Sequence, residues 1–162
     1  MAISVPTSAT LLLGTAWTGT APGKGNPTVS GTINSGSGTY LDATPWLTTA
    51  NPDFTAAVQD GTTFADGGYE AVYAGLKAGM LNLTFINDFA SAQLADKLNT
   101  IGLGGSVYFD LKPTSSARGT SNPSDVGQAI ITSLPRFNAS VGNLSVVSVS
   151  WKLNGTFATL AS

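Results

Sequence analysis

The sequence contains neither histidine nor cysteine. Disulfides and thiolate chemistry are excluded, and the commonest general base and metal ligand is missing. Charge is scarce as well: Asp, Glu, Lys and Arg make up 10% of the chain, against about 25% in an average soluble domain. The seven basic residues, Lys24, Lys77, Lys97, Lys112, Arg118, Arg136 and Lys152, stand singly and the net charge is −2. A domain that grips phosphates shows a basic patch, and none exists here. Long apolar runs are also lacking. Leu11-Leu12-Leu13 is too short for the core of a signal peptide and has no basic region before it, and no stretch approaches the length of a membrane span. The expectation is a soluble chain made in the cytoplasm, with no membrane partner. So few charges leave a surface covered by Ser, Thr, Gly and Asn, or buried against other subunits.

What is present points to strands. A compact monomer of 16.4 kDa exposes about 7,500 Å² of the roughly 24,000 Å² of its unfolded chain, enough burial for one core; residues 1–162 are read as a single domain. Ala9 to Leu13 is a short apolar strand. The stretch 16–38, dense in Gly, Ser, Thr and Pro, follows as an extended N-terminal arm or loop, and a neighbouring subunit is a natural place for it to lie. Phe54, Ala56 and Val58 alternate with Thr55, Ala57 and Gln59 ahead of an Asp60-Gly61 turn, which favours a strand over a short helix capped at Asn51-Pro52. Tyr69 to Tyr73 and Leu76 to Ile86 read as two more strands, with Gly75 and Gly79 as bulges or close-contact points. The spacing of Phe89, Leu94, Ala95, Leu98 and Ile101 predicts one helix over about 88–101, capped by Asn87 or Asp88 and ended by Gly102. Val107, Phe109 and Leu111 oppose Tyr108, Asp110 and Lys112. Val147, Val149, Trp151 and Leu153 oppose Val146, Ser148, Ser150 and Lys152. These are the clearest strands; between them lie the polar loop 113–125 and a further strand from Val126 to Leu134.

No motif carries chemistry. Gly102-Leu103-Gly104-Gly105 follows a helix and precedes a strand, the reverse of a phosphate-binding loop, and reads as a helix terminator and turn. Asp60, Asp66, Glu70 and Asp88 are the densest carboxylates, but they do not follow a calcium-loop spacing, and Asp60-Gly61 and Asp66-Gly67 are turn residues. No Gly-x-Ser-x-Gly elbow occurs. Four Asn-x-Ser/Thr sequons, at Asn82, Asn138, Asn143 and Asn154, are unremarkable in a chain this rich in Ser and Thr. Trp151 falls on the apolar face of its strand and belongs to the core. Trp46, beside Pro45, can anchor an interface or stack on a sugar.

Several segments taken in order resemble the major tail tube proteins of long-tailed, siphovirus-type bacteriophages, particularly those of actinobacteria. They are residues 59–70 (QDGTTFADGGYE), 74–79 (AGLKAG), 87–89 (NDF), 111–123 (LKPTSSARGTSNP) and 140–151 (SVGNLSVVSVSW). The resemblance covers most of the chain; where the family often has Trp before the Glu of the first segment, this chain has Tyr69. It implies a mainly β fold, a β-sandwich or partial barrel with one flanking α-helix. It also implies hexameric rings of this homo-oligomer, stacked helically into the tail tube of the virion and assembled in the host cytoplasm. DNA passes non-specifically through the lumen during ejection, a tape-measure protein fills it beforehand, and tail terminator and distal tail proteins are further partners. No cofactor or catalytic residue is implied.

The scarcity of charge agrees with repeated head-to-tail contacts and with a lumen that has few phosphate grips. Arg118, Trp46, Asp66 and Glu70 are the candidate inter-subunit residues. Arg118, in the loop 113–125, is expected to pair with a carboxylate or carbonyl of a neighbour. The alternatives are a capsid decoration protein of β-sandwich type and a carbohydrate-binding module using Trp46 and Tyr40.

Overall fold

The computed structural model describes residues 8–26, 28–61, 72–135 and 142–161. Ten strands, one 3₁₀ turn and one α-helix follow in the order β1 (Thr10–Gly14), β2 (Trp17–Thr18), β3 (Thr32–Ile33), β4 (Tyr40–Asp42), the turn Thr44–Trp46, β5 (Leu47–Asp60), β6 (Val72–Ile86), α1 (Leu94–Ile101), β7 (Ser106–Lys112), β8 (Ser124–Ile130), β9 (Val146–Leu153) and β10 (Ala158–Leu160). The described residues are mainly β with a single α-helix, as expected.

One antiparallel sheet runs β4-β1-β7-β8-β9-β6-β5, with β10 added to β8, and β2 pairs only with β3. The joint between β8 and β9 is narrow: Ala129 pairs with Leu153 and Ile130 with Lys152, while Ser124–Val126 of the same strand pairs with β10. The sheet folds over at this joint. Leu11, Leu13, Val107 and Phe109 of one half and Leu81, Leu83, Phe85, Val147, Val149 and Trp151 of the other therefore meet in one buried cluster, closed by Leu94 and Leu98 of α1. Period-two alternation places the strand side chains of this cluster on the inner faces. The Trp151 indole, buried in the centre, donates Nε1–H to the Ser133 carbonyl at 2.9 Å, so its one polar atom is satisfied.

Three expectations change. The helix begins at Leu94 rather than near residue 88, with Gln93 as its N-cap. Asp88 does not cap it. One carboxylate oxygen accepts the amide of Ala90 two residues on, the other accepts the Trp46 indole N–H at 3.1 Å, and Ala92 at φ +62° interrupts the helical path. Asp88 thus holds a turn that competes with the helix. At the other end, Gly102 terminates α1 as anticipated, at a φ of +78° that suits glycine.

The strands expected at 69–73 and 76–86 are one. Residues 69–71 lie outside the described residues, and Val72 and Tyr73 run without a break into β6. Gly75 sits where the register slips between Ala56 and Val58, so it does mark a bulge. Gly79 is a close-contact point: a Cβ there would lie 2.6 Å from the Leu153 side chain and 3.1 Å from the Phe54 ring.

The segment 16–38 is a loop, but it lies on its own chain rather than reaching out as an arm. Its neck is closed by Thr15 N donating to Thr39 O at 2.9 Å, which makes it a long Ω-type loop. Trp17 packs on Tyr108 with ring centroids 5.6 Å apart, and Thr156 N donates to Gly23 O at 3.1 Å. The outer face of the β1-β7-β8 half, where Tyr108, Asp110 and Gln128 point, is covered by this loop.

Candidate functional site

The feature that departs from a closed fold is the hairpin of β5 and β6. From Met80 to Phe85, β6 is paired on both sides, with β5 and with β9. From Gly79 to Val72 it keeps only β5, so the hairpin leaves the body as a two-stranded ribbon about 25 Å long at roughly 3.3 Å per residue. Its root is fixed: Phe54 stacks on Phe157 at 3.7 Å between centroids and 10° between planes, and Gly79 fits against Leu153. The edge strand β5 carries Pro52, which an edge tolerates because no amide is needed there.

Beyond the root both faces of the ribbon are exposed, including its apolar side chains. Leu76 is 87% exposed, Val58 67%, Tyr73 63% and Val72 51%. An isolated two-stranded hairpin is marginal in water, and an open edge with apolar faces is a template for another chain.

The Arg118 expectation is answered inside the chain. Its Nη2 donates to Asp110 Oδ2 at 2.7 Å and its Nη1 to Gly31 O at 2.8 Å; Asp110, 3% exposed, also accepts the Ser124 hydroxyl. Both partners foreseen on a neighbouring subunit, a carboxylate and a carbonyl, are intramolecular. The loop 113–125 folds back because Asn122, buried, takes the amide of Thr114 on its side-chain oxygen and donates its side-chain amide to Ser116 O at 2.8 Å. Guanidinium, Asp110 and the Gly31 carbonyl together clamp this loop and the Ω-loop to β7. Nearby, burial and then the negative charges of Asp42 and Asp110 push the Tyr40 phenol above its ordinary pKa.

Trp46 is half-buried against the core and pins the segment before α1 through its bond to Asp88. That makes it a packing residue with its N–H satisfied. Asp66 and Glu70 lie outside the described residues. A cleft of about 580 Å³ opens between the start of β5 and the end of β7, lined in part by Ala9, Thr44, Leu47, Thr49, Lys112 and Asp125. Among the described residues no three of Asp, Glu, His or Cys converge as metal ligands, and no helix is long and apolar enough to cross a membrane. Sequence reasoning missed the exposed apolar ribbon, although Val72, Tyr73 and Leu76 around Gly75 were its signal.

Two solved structures share this architecture. A chain of the virion of a native gene transfer agent particle superposes with a TM-score of 0.56 at 15% identity, over 75% of this chain and 89% of its own. A chain of the tail of an empty gene transfer agent particle, determined with helical refinement and C6 symmetry, gives 0.57 at 17% identity, over 79% and 91%. The likeness is one of fold. No family model and no curated protein matches the sequence.

Proposed function

We propose that this chain is the subunit of a phage-type tail tube: a structural, non-enzymatic protein whose copies form six-membered rings that stack into a hollow conduit for DNA. The observation that carries the reading is the β5–β6 ribbon, rooted in the core yet with Val58, Val72, Tyr73 and Leu76 exposed and, among the described residues, with no third strand joined to it. A second copy completes it. A ring or stack reuses one pair of unlike surfaces at every step, and a chain with few charges to guard its edges favours such pairing. The neighbouring fold in a tail of C6 symmetry supports six copies per ring, and the ordered segments that resemble tail tube proteins support the same assembly. A tape-measure protein in the lumen, with terminator and distal tail proteins at the ends, completes the proposed set of partners.

Negative-stain microscopy of the purified protein, beside its Leu76→Asp variant, tests this. Leu76 is almost fully exposed in the subunit, so the new carboxylate changes subunit stability by no more than about 0.5 kcal/mol. In an interface it is buried without a partner, at a cost of several kcal/mol. Wild type is expected to form tubes or stacked rings, and the variant to remain single subunits with an unchanged Tm. Variant tubes as abundant as wild type, or a wild type that stays monomeric at high concentration, would overturn the reading.

A further inference from the structure

β9 and β10 lie along the same partner strand. Leu153 pairs with Ala129 of β8, and Ala158 resumes the ladder opposite Val126. Between these pairs the chain has four residues, Asn154 to Phe157, where β8 has two, Gly127 and Gln128. The four are a detour out of the ladder. Its start ends the pairing of β6: Gly79, next along β6 after the Met80–Lys152 pair, receives the Leu153 side chain in place of a paired strand. Asn154 gives its backbone amide to Gln128 O and its side-chain amide to Gln128 Oε1, both at 2.8 Å. The turn that frees the β6 edge of the ribbon is thereby fixed to β8.

The detour then bears on two surfaces in succession. At Gly155, with φ +86°, it lies directly on the Ω-loop, and a Cβ there would sit 2.3 Å from the Gly23 carbonyl carbon and from the Lys24 nitrogen. Thr156 donates its amide to Gly23 O at 3.1 Å and its hydroxyl to Asn26 O at 2.5 Å. One residue on, the Phe157 ring stacks on Phe54, the β5 residue opposite Gly79 at the ribbon root. The far end is closed by the Thr159 hydroxyl, which donates to Asp125 Oδ1 at 2.6 Å. A two-stranded hairpin is marginal by itself, so the angle at which this one leaves the body is set by what holds its root.

We propose that residues 154–160 form a strap that aims the ribbon, with Phe157 as its positioning residue and the Ω-loop as its anchorage. Its role in assembly rests on the tail-tube reading: a ribbon already held at one angle meets the next copy pre-ordered, whereas a loose one must lose its freedom at every addition. Gly155 bears on the Ω-loop and Phe157 on the ribbon, two residues apart, so a disturbance of the anchorage reaches the ribbon through the strap.

Amide exchange of the free subunit reads this directly. In Phe157→Ala the bonded amides of the ribbon, from Phe54 to Val58 and from Tyr73 to Gly79, are expected to exchange about tenfold faster. Those of Leu81–Phe85 and Val147–Trp151 stay unchanged. Phe157→Tyr keeps the stack and is expected to restore wild-type exchange. Gly155→Ala forces the strap off the Ω-loop and leaves both rings chemically intact; the Thr156 amide loses protection and the ribbon amides are expected to follow. A ribbon unaffected in either alanine variant, or a Phe157→Tyr that behaves as Phe157→Ala, overturns the strap. Loss of protection throughout the core in both alanine variants overturns it too, because the segment is then part of the core. Microscopy of the same proteins supplies the assembly arm, with fewer and shorter tubes from Phe157→Ala and recovery in Phe157→Tyr. Normal tubes from a Phe157→Ala subunit whose ribbon exchanges faster overturn the positioning role and leave the tail-tube reading standing. A wild type that does not assemble overturns that reading and the role in assembly with it, while exchange still decides the strap.

Discussion

Arg118→Ala is expected to destabilise the isolated subunit by about 3 kcal/mol. The pair it breaks is enclosed, with side-chain exposures of 16% for Arg118 and 4% for Asp110. Removing one partner of a buried pair costs about 3–5 kcal/mol, because the remaining charge is stranded. The Ser124 hydroxyl still donates to Asp110, and part of the guanidinium reaches solvent, so the low end of that range applies. The Gly31 carbonyl loses its charged donor in the same step. For a domain of this size, about 3 kcal/mol lowers Tm by roughly 6–12 °C. Urea denaturation gives the free energy and a thermal melt gives the shift, both at a concentration where the protein is monomeric. The double variant Asp110→Asn/Arg118→Met separates a stranded charge from a lost contact: with neither charge left, it is expected to be more stable than Arg118→Ala alone. A loss below about 1 kcal/mol for the single variant, or a double variant less stable than the single, would refute the buried-clamp account.

Gly31→Ala puts a Cβ 1.8 Å from the Thr18 carbonyl oxygen at a backbone φ of +99°. The β2–β3 ladder is expected to open, seen as faster amide exchange across residues 17–33 with β6 and β9 unchanged, and equal exchange would refute the close approach. Trp151→Ala empties the centre of the core and is expected to cost about 3–5 kcal/mol in urea denaturation. A loss under about 1 kcal/mol would mean that the two half-sheets do not meet there.

The core was legible because its period is local. Val147, Val149 and Trp151 alternate with Ser148, Ser150 and Lys152, and inner and outer faces follow at once. The same rule placed Asp110 on the outer face of β7, which is correct, yet Asp110 is buried. Its cover comes from Gly31 and Arg118, far apart in sequence, and periodicity carries no information about which loop will fold over a face. The helix start was misplaced for a related reason. Phe89 has helical spacing with Leu94, but Asp88 is held by Trp46 from 42 residues away, and this tertiary bond overrides a local cap signal. Glycine was read well at Gly79 and Gly102, where it answers to a close contact or a positive φ, and only in part at Gly75, whose bulge bends β6 without ending it.

The ribbon was legible as a strand and illegible as a surface. Phe54, Ala56 and Val58 alternate with Thr55, Ala57 and Gln59 in the manner of a strand buried on one side, yet Val58 is 67% exposed. Alternation states that a face wants cover, not that the same chain provides it. In the body of the sheet that cover is the opposite half, and its inner residues are buried to within a few per cent. Past Gly79 the described residues offer no opposite half. The same side-chain pattern therefore continues outward into solvent, and the point where intrachain cover ends marks where the exposed apolar surface begins. Among the described residues Asp110 and Arg118 neutralise each other within the subunit, while the ribbon carries Asp60 and Lys77 beside its exposed apolar side chains. On the proposed tail-tube reading, packing and backbone pairing of the ribbon join the copies. Assembly on those terms is expected to be strengthened by raising salt from low to physiological strength, or unaffected by it, and not dissolved by it.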